Sequence, residues 1–459
     1  MSNIHSDSNR QSGDADECNE AGSAGQLANL LNHSCHCINV DRDALRRTLE
    51  TQLGTPGAYT SLLETHPHLL AESPVFISRD HIDQMAKIIK SIENLVALKA
   101  YQNLVLEWAP EIGRNCHGSR GVFFGYDFHL TNDGPKLIEI NTNAGGALLI
   151  LHVASAQQAC CSEVENFIVG RVNLATLEQD LIAMFHAELQ LQFPGRELRR
   201  IAIVDENPTE QFLSPEFILF RQMFEQHGID ATIVGPDTFT LRHGELHANG
   251  LAIDLVYNRL TDFYLQSPPC AALNQAYRDD VAAFTPSPYG HALYANKRNL
   301  TVFSDPDLLR HLGADAEVMK TLSAGVPGTV AVSDENAESL WADRRRLFFK
   351  PLWGFGSKGT YRGSKLTRRT WQSILDSDYV AQELVPPSER LLIVDGDQRS
   401  LKLDVRCYAY DGEIQLLGAR MYRGQTTNFR TDGGGLAAVF TAPTTAGSGV
   451  SAQSVLQGK

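Results

Sequence analysis

From Lys136 to Gly146 the chain reads K-L-I-E-I-N-T-N-A-G-G, and its alternation of apolar and polar positions predicts a strand that ends in a turn. Leu137, Ile138 and Ile140 carry the β-propensity, and the alternation puts Glu139 and Asn141 on one face. A second strand-like run, G-Y-D-F-H-L, lies upstream, and the intervening T-N-D-G (Thr131 to Gly134) reads as a hairpin turn. Folded back, Asp127 meets Glu139 and Asn141. Three hard oxygen donors at one strand end suit Mg²⁺ that completes its shell with water and nucleotide phosphates; the plainer reading is the polar exposed end of an antiparallel hairpin.

Helical spacing is clearest before this hairpin. Asp41 is placed to cap a helix through Leu53 that Gly54 ends, and Ser78 to cap another, in which Ile82, Met85, Ile89, Ile92 and Val96 recur on one face. After the hairpin a helical stretch is expected from Ala147 to about Gln192, with Cys160 and Cys161 in its core. From Leu198 the period changes. Ile201 to Val204 is a short apolar run, Pro215 to His227 an amphipathic helix stopped at Gly228, Ala231 to Val234 a second apolar run, and Ile253 to Tyr257 a further strand. That succession makes a βαβ unit with a parallel sheet, whose ligand edge would hold the loop from Asp205 and the residues Asn258 and Arg259. Arg259 is a candidate partner for a substrate carboxylate, the other reading being an ordinary surface arginine.

The last third alternates again. Arg346 to Lys350 is a strand ending in lysine, followed by P-L-W-G-F-G-S-K-G-T. Gly354, Gly356 and Gly359 spell G-x-G-x-x-G, but no helix opens there, and T-Y-R-G-S-K from Thr360 is turn-like and strand-like, so a dinucleotide fingerprint is rejected; a G-x-x-x-x-G-K-[ST] loop is absent. What fits is a flexible glycine-rich hairpin (Gly354, Gly356, Ser357, Gly359) whose backbone N–H groups cover phosphates, with Lys350 as their point charge. Tyr379 to Pro387, Y-V-A-Q-E-L-V-P-P, offers strand-edge groups to a flat base, with Gln382 and Glu383 beside them. The strand containing Lys402, Asp404 and Arg406 turns at Asp411-Gly412 into one ending at Arg420, and a glycine-rich loop runs from Gly424 to Gly435.

Composition narrows the class. The 459 residues call for two or three domains, and 43% hydrophobic residues suit a soluble globular protein. A net charge of −14 argues against nucleic acid as the main partner, and no apolar run reaches membrane-spanning length. Residues 1 to about 25, poor in anything to bury, read as a disordered tail, and the eight scattered cysteines without a secretory leader point to a reduced, cytoplasmic setting. His33-Ser-Cys35-His36-Cys37 holds zinc-type ligands, but too close together to surround one ion easily.

The order lysine strand, glycine-rich lid, V-A-Q-E hinge, D-x-R strand, returning arginine and glycine-rich loop resembles the ATP-grasp fold of ATP-dependent carboxylate–amine ligases. The strand pair bearing Asp127, Glu139 and Asn141 precedes these elements instead of following them. That order is similar to the circularly permuted members of the glutathione synthetase and glutathionylspermidine synthetase kind, over residues 116 to 440. The resemblance implies an α/β fold of α+β ATP-grasp lobes: a helical scaffold (26–115), a metal-binding part with helical connection (116–197), an inserted Rossmann-like substrate domain (198–290), nucleotide lobes (291–445) and a flexible tail (446–459). It further implies that Lys297 and Lys350 hold phosphates, that Gln382, Glu383 and adjacent backbone hold adenine, that Asp127, Glu139 and Asn141 hold Mg²⁺, and that Arg406 and Arg420 face the transferring phosphoryl group. The implied cofactors are ATP and Mg²⁺. The implied partners are a small-molecule carboxylate and an amine, without nucleic acid or membrane, a homodimer being left open. Two departures stand against glutathione synthesis itself. Gly125 occupies the place of a substrate-contacting arginine two residues before the aspartate, and the lid has Gly354 or its neighbours where the family has a metal-binding glutamate. The reaction expected is acyl-phosphate formation followed by amine attack under a closing lid, with no side-chain nucleophile. The alternatives are a phosphotransferase on the same fold and a nucleotide-binding protein without turnover.

Overall fold

The computed structural model describes residues 24–36, 38–54, 57–159, 174–354, 359–394 and 396–442. The expected tails, the Cys160-Cys161 pair, Cys37, Gly356 and Ser357 lie outside these residues, except that Ala24 already begins a helix, Ala24–Ser34. The helix caps follow the sequence. Asp41 Oδ1 accepts from the N–H groups of Asp43 and Ala44 and opens Arg42–Leu53, while Gly54 ends it in the left-handed region at φ 64°. Ser78 opens Arg79–Val96, whose buried stripe includes Met85, Ile89, Ile92 and Val96.

A seven-stranded sheet forms the centre. Its spatial order is Val75–Ile77, Gly435–Thr441, Glu413–Tyr422, Asp397–Tyr410, Phe124–Thr131 and Gly134–Asn141, with Ser388–Val394 paired to the first half of Asp397–Tyr410. At its tightest turn Asp411 and Gly412 both have positive φ, 49° and 81°, as the Asp-Gly pair requires. Helices cover both faces. Arg79–Val96 packs on one, and Ala147–Ser155, nearly all apolar and buried, packs on the other.

The continuous helix expected from 147 to 192 is instead interrupted. Ala147–Ser155 stops, Gln157–Ala159 pairs antiparallel with Ile38–Val40, and a second helix runs Leu174–Gln192. The apolar residues around the break gave no periodic warning, because a strand this short carries no alternation of its own.

Residues 200 to 285 build the expected parallel sheet, in the order Ala283–Thr285, Leu255–Asn258, Arg200–Val204, Asp230–Val234, with the helix Ser214–Gln226 crossing between the last two. A small antiparallel meander (Phe239–Arg242, Glu245–Ala248, Leu251–Ala252) follows. The remaining lobe is a four-stranded antiparallel sheet, Thr329–Ala331, Tyr379–Glu383, Leu347–Pro351 and Tyr361–Arg362, backed by Arg368–Leu375 through Trp371 and Ile374. Its concave side and the edge of the central sheet enclose a cleft of about 1140 Å³.

Candidate active site

The cleft floor is the hairpin Phe124–Thr131 and Gly134–Asn141. Asp127 stands opposite Glu139, and a β-bulge immediately after them leaves Ile138 without a cross-strand partner. A bulge of this kind frees a carbonyl from the ladder. Here the Ile138 oxygen accepts from Lys350 Nζ at 2.8 Å, which docks the small lobe's lysine onto the central sheet. Lys350 also donates to Gln382 Oε1 at 2.8 Å, and Gln382 Nε2 donates to Thr329 Oγ1 at 3.3 Å. Lys350 is 3% exposed and Gln382 1%. The side chain of Gln382 therefore orients the lysine, whereas the exposed Glu383, whose Oε2 accepts from Gly328 N at 3.3 Å, faces the cleft with Leu384, Val385, Pro386 and Pro387. His129, whose pKa is lowered chiefly by burial, donates from Nδ1 to the Val385 carbonyl at 2.8 Å and ties this hinge to the sheet.

The three residues expected at a metal do meet, since Asn141 Nδ2 donates to Asp127 Oδ2 at 3.0 Å and to Glu139 Oε1 at 3.2 Å. They are not equivalent. Arg406, directly across the strand boundary from Asp127, grips it with Nε on Oδ1 at 2.6 Å and Nη2 on Oδ2 at 2.7 Å, and Arg420 adds Nη2 on Oδ2 at 2.8 Å. Arg420 Nε then reaches Asp404 Oδ1 at 2.7 Å, and Thr427 Oγ1 closes the chain on Asp404 Oδ2 at 2.6 Å. Asp127 is thus the hub of a buried arginine network, and among the described residues no group of three His, Cys, Asp or Glu side chains is arranged for one metal. Glu139 and Asn141 remain: in the described hydrogen bonds Glu139 Oε2 and Asn141 Oδ1 accept nothing, and two hard oxygens of this kind could hold a Mg²⁺ that finds its other ligands elsewhere.

The electrostatics match that use. Burial by itself would raise the Glu139 pKa, but Lys297, Lys350, Arg420 and the Asn141 amide outweigh it and hold the carboxyl at about 2. Burial lowers Lys350 to about 8 against the pull of Glu139. Arg420 is pushed up by Asp127 and Asp404 in spite of its burial. Lys297 Nζ donates to the Gly354 carbonyl at 2.6 Å, so the lysine stands at the first residue of the glycine-rich loop; Gly359, at that loop's far end, has φ 69° and accepts from Tyr379 OH at 2.9 Å.

The expectation that both arginines face the reacting phosphoryl group divides in the same way. Arg406 is 7% exposed, with Nη1 turned to the Gly145 carbonyl at 3.5 Å, and it anchors Asp127. Both arginines line the cleft, but the described hydrogen bonds of Arg420 occupy Nε and Nη2 alone.

The other half of the cleft was not foreseen. The turn Asn143–Gly145 lies between the sheet and the α/β unit, strapped by Tyr408 OH on the Gly145 carbonyl at 2.7 Å and by Arg259 Nη1 on the Ala144 carbonyl at 3.0 Å. Arg259 is 6% exposed and lies 3.6 Å from the fully buried Glu216, so it braces the turn and is not presented to a substrate carboxylate. Glu216 accepts from the N–H groups of Gly146 and Leu148 and caps the helix that follows. Overhead, Phe212 from the Asp205 loop stacks on Phe429 from the Gly424–Gly435 loop, centroids 5.1 Å apart. Two aromatic residues 217 positions apart leave no signal in sequence spacing. A Cβ at Gly125 would come within 2.5 Å of the Ala144 Cβ and 3.1 Å of Arg406 Nε, so no side chain fits where the resembled enzymes carry arginine.

No family model and no curated protein sequence matches the chain. Among solved structures, a glutathione synthetase-like effector (GSS30) from Globodera pallida aligns over 86% of this chain and 98% of its own, with a TM-score of 0.52 and 12% identity. A γ-glutamylcysteine synthetase-like protein of Methylobacillus flagellatus (78% and 87% covered, 10% identity, TM-score 0.43) and the ATP-grasp ligase PsnB with minimal precursor, Mg and ADP (44% and 70%, 18%, 0.25) also match, superposing too loosely for inference. The chain has an ATP-grasp-like fold of the glutathione synthetase-like kind.

Proposed function

We propose that the protein is an ATP-dependent carboxylate–amine ligase working through an acyl phosphate. The observation that carries this reading is the convergence of Lys297, Lys350 and Arg420 on an ionised Glu139 at the junction of the two sheets. In it, the adenine lies against the Glu383–Pro387 hinge, and Lys297 and Lys350 take the phosphates. Glu139 and Asn141 hold Mg²⁺, which when bound supplies charge neutralisation between phosphates. Arg420 stabilises charge on the transferring phosphoryl group as a carboxylate attacks it, and Asp127 with Arg406 keeps Arg420 in place. The acyl group then sits by the Asn143–Gly145 turn, under Phe212 and Phe429, where an amine displaces the phosphate and water is excluded.

Against the phosphotransferase reading, the three carboxylates nearest Lys350 and Arg420 in the described cleft are poor general bases. Glu139 at about 2 is a weak one, and Asp127 and Asp404 are held by arginines. An amine that arrives as the free base attacks an acyl phosphate without such a base, as a hydroxyl does not.

The test is ADP release from Mg-ATP by the purified protein with pools of amino acids, γ-glutamyl peptides and polyamines. ADP formation that requires both a carboxylate and an amine, with a product of new amide mass, is the expected result. ADP formed with phosphate on a hydroxyl compound refutes it, as does the absence of any Mg-ATP-dependent thermal shift.

A further inference from the structure

The small lobe carries a charge distribution that the chemistry above does not use. From Arg344 to Arg369 nine of 26 residues are Lys or Arg and none is Asp or Glu, in a chain whose net charge is −14. Outside this run 31 basic residues face all 54 acidic ones. Lys350 belongs to the cleft, but Arg345, Arg346, Arg362, Lys365, Arg368 and Arg369 are exposed.

The fold gathers them at one end of the small lobe, with Arg344 and Arg368 on its helix-backed side and Arg362 on its cleft side. The turn Arg344–Arg346 packs so tightly on Gly363–Lys365 that a Cβ at Gly363 would lie 1.8 Å from the Arg344 carbonyl. The guanidinium carbons of Arg344 and Arg368 each lie 4.1 Å from the ring centre of Trp341, which fixes the two halves of the run to one indole. Arg362 stands opposite Phe348 and lines the cleft mouth. None of the ion pairs among the described residues includes any of these cations. Of the nearby carboxylates, Asp376 accepts from Gln372, Asp378 from Trp353 and Glu383, opposite Leu347, from Gly328, while Asp343 stands just before the run. Like charges clustered in excess over carboxylates, and outside any described ion pair, raise the local potential and attract an anion.

Resting on the ligase reading, we propose that this end of the lobe docks an acidic peptide, which passes round the edge strand Tyr361–Arg362 and feeds one of its carboxylates past Arg362 into the cleft. The patch is short and the rest of the surface is negative. A segment with several carboxylates matches both features, whereas a long phosphate backbone would leave the patch and meet repulsion. Reach to the cleft mouth is what makes the bound acid a substrate, since the carboxylate is the group that becomes phosphorylated.

A fluorescein-labelled twelve-residue peptide of alternating Glu and Gly, titrated with the full chain and read by anisotropy, tests the docking without needing turnover. Binding should weaken at least tenfold between 50 and 300 mM NaCl. It should weaken at least tenfold again in the variant Arg345→Glu/Arg346→Glu/Arg369→Glu, whose Mg-ATP thermal shift shows that it is folded; the single reversals Arg345→Glu and Lys365→Glu, each with wild-type circular dichroism, should weaken it in the same direction. Unchanged affinity in these variants overturns the proposal. So does a single-stranded oligonucleotide of equal charge that binds more tightly than the peptide. Peptide binding without amide formation from any substrate refutes the ligase reading alone, and amide formation indifferent to the reversals refutes the docking site alone.

Discussion

Asp127→Asn separates anchoring from metal binding. In the native protein this carboxylate takes three charge-assisted hydrogen bonds of 2.6 to 2.8 Å from two guanidinium groups while 1% exposed. Asn keeps the volume but loses the charge and turns one acceptor into a donor, leaving Arg406 buried without a counter-ion; Arg420 keeps Asp404. Removing one partner of such a buried pair costs about 3–5 kcal/mol. The retained Arg420–Asp404 contact places this substitution near the lower end, about 3 kcal/mol, which for a unit of 150–250 residues lowers the melting midpoint by roughly 6–12 °C. Differential scanning calorimetry at pH 7.5 measures it, with the Mg-ATP-induced shift recorded in parallel at a temperature where both proteins are folded. The expected result is a lower midpoint with the Mg²⁺-dependent part of the shift retained. A variant as stable as the parent that has lost that part would refute the reasoning and make Asp127 a ligand.

Glu139→Gln and Lys350→Ala should each lower Mg-ATP turnover by about 10²-fold or more, since each removes a group aimed at developing phosphoryl charge; ADP release unchanged in both would sink the site assignment. Asp205, 8% exposed, has its pKa raised by burial to about 6 in spite of Arg259. The folded state therefore holds more protons than the unfolded chain between the ordinary aspartate value and about 6, and stability falls as pH rises through that window. Asp205→Asn should consequently stabilise the protein by about 1–3 kcal/mol above pH 7 and by nothing near pH 3, as urea titrations at the two pH values would report. Phe429→Ala removes an aromatic stack worth about 0.5–1.5 kcal/mol and opens the cleft roof, so the ratio of ADP to amide formed should rise above one as water competes with the amine. A ratio that stays at one would show that the stack does not seal the site.

Local chemistry carried much of the fold. Asp41, Gly54 and Ser78 marked helix ends because capping is a matter of neighbouring backbone groups, and Asp411-Gly412 and Thr131–Gly134 marked hairpins because the turn residues fix the register. The meeting of Asp127, Glu139 and Asn141 followed from one such hairpin. What lay beyond reach was which strand flanks it. Arg406 comes beside Asp127 from 279 residues away, and no local pattern announces a pairing between strands so far apart. The same blindness left Arg259 readable as a substrate contact or a surface arginine and never as a buried brace, because its partner Glu216 sits on a helix that looks merely amphipathic. The bulge at Ile138 was hidden for a different reason: one extra residue leaves the apolar alternation of the strand intact and shows only in which carbonyl is left over.

The Glu216 cap has a mechanical meaning. A carboxylate from the α/β unit receives the first N–H groups of a helix that belongs to the central sheet, and it does so 0% exposed, with Arg259 of its own unit reaching back to the turn before that helix. Any swing of the α/β unit would strip a buried helix end of its acceptor and a buried guanidinium of its carbonyl at once. That side of the cleft is therefore a fixed jaw, welded to the sheet that bears Glu139. Whatever travel loading and release need has to come from the opposite side, where the small lobe meets the sheet through a few side-chain contacts, Lys350 on the Ile138 carbonyl and His129 on the Val385 carbonyl among them.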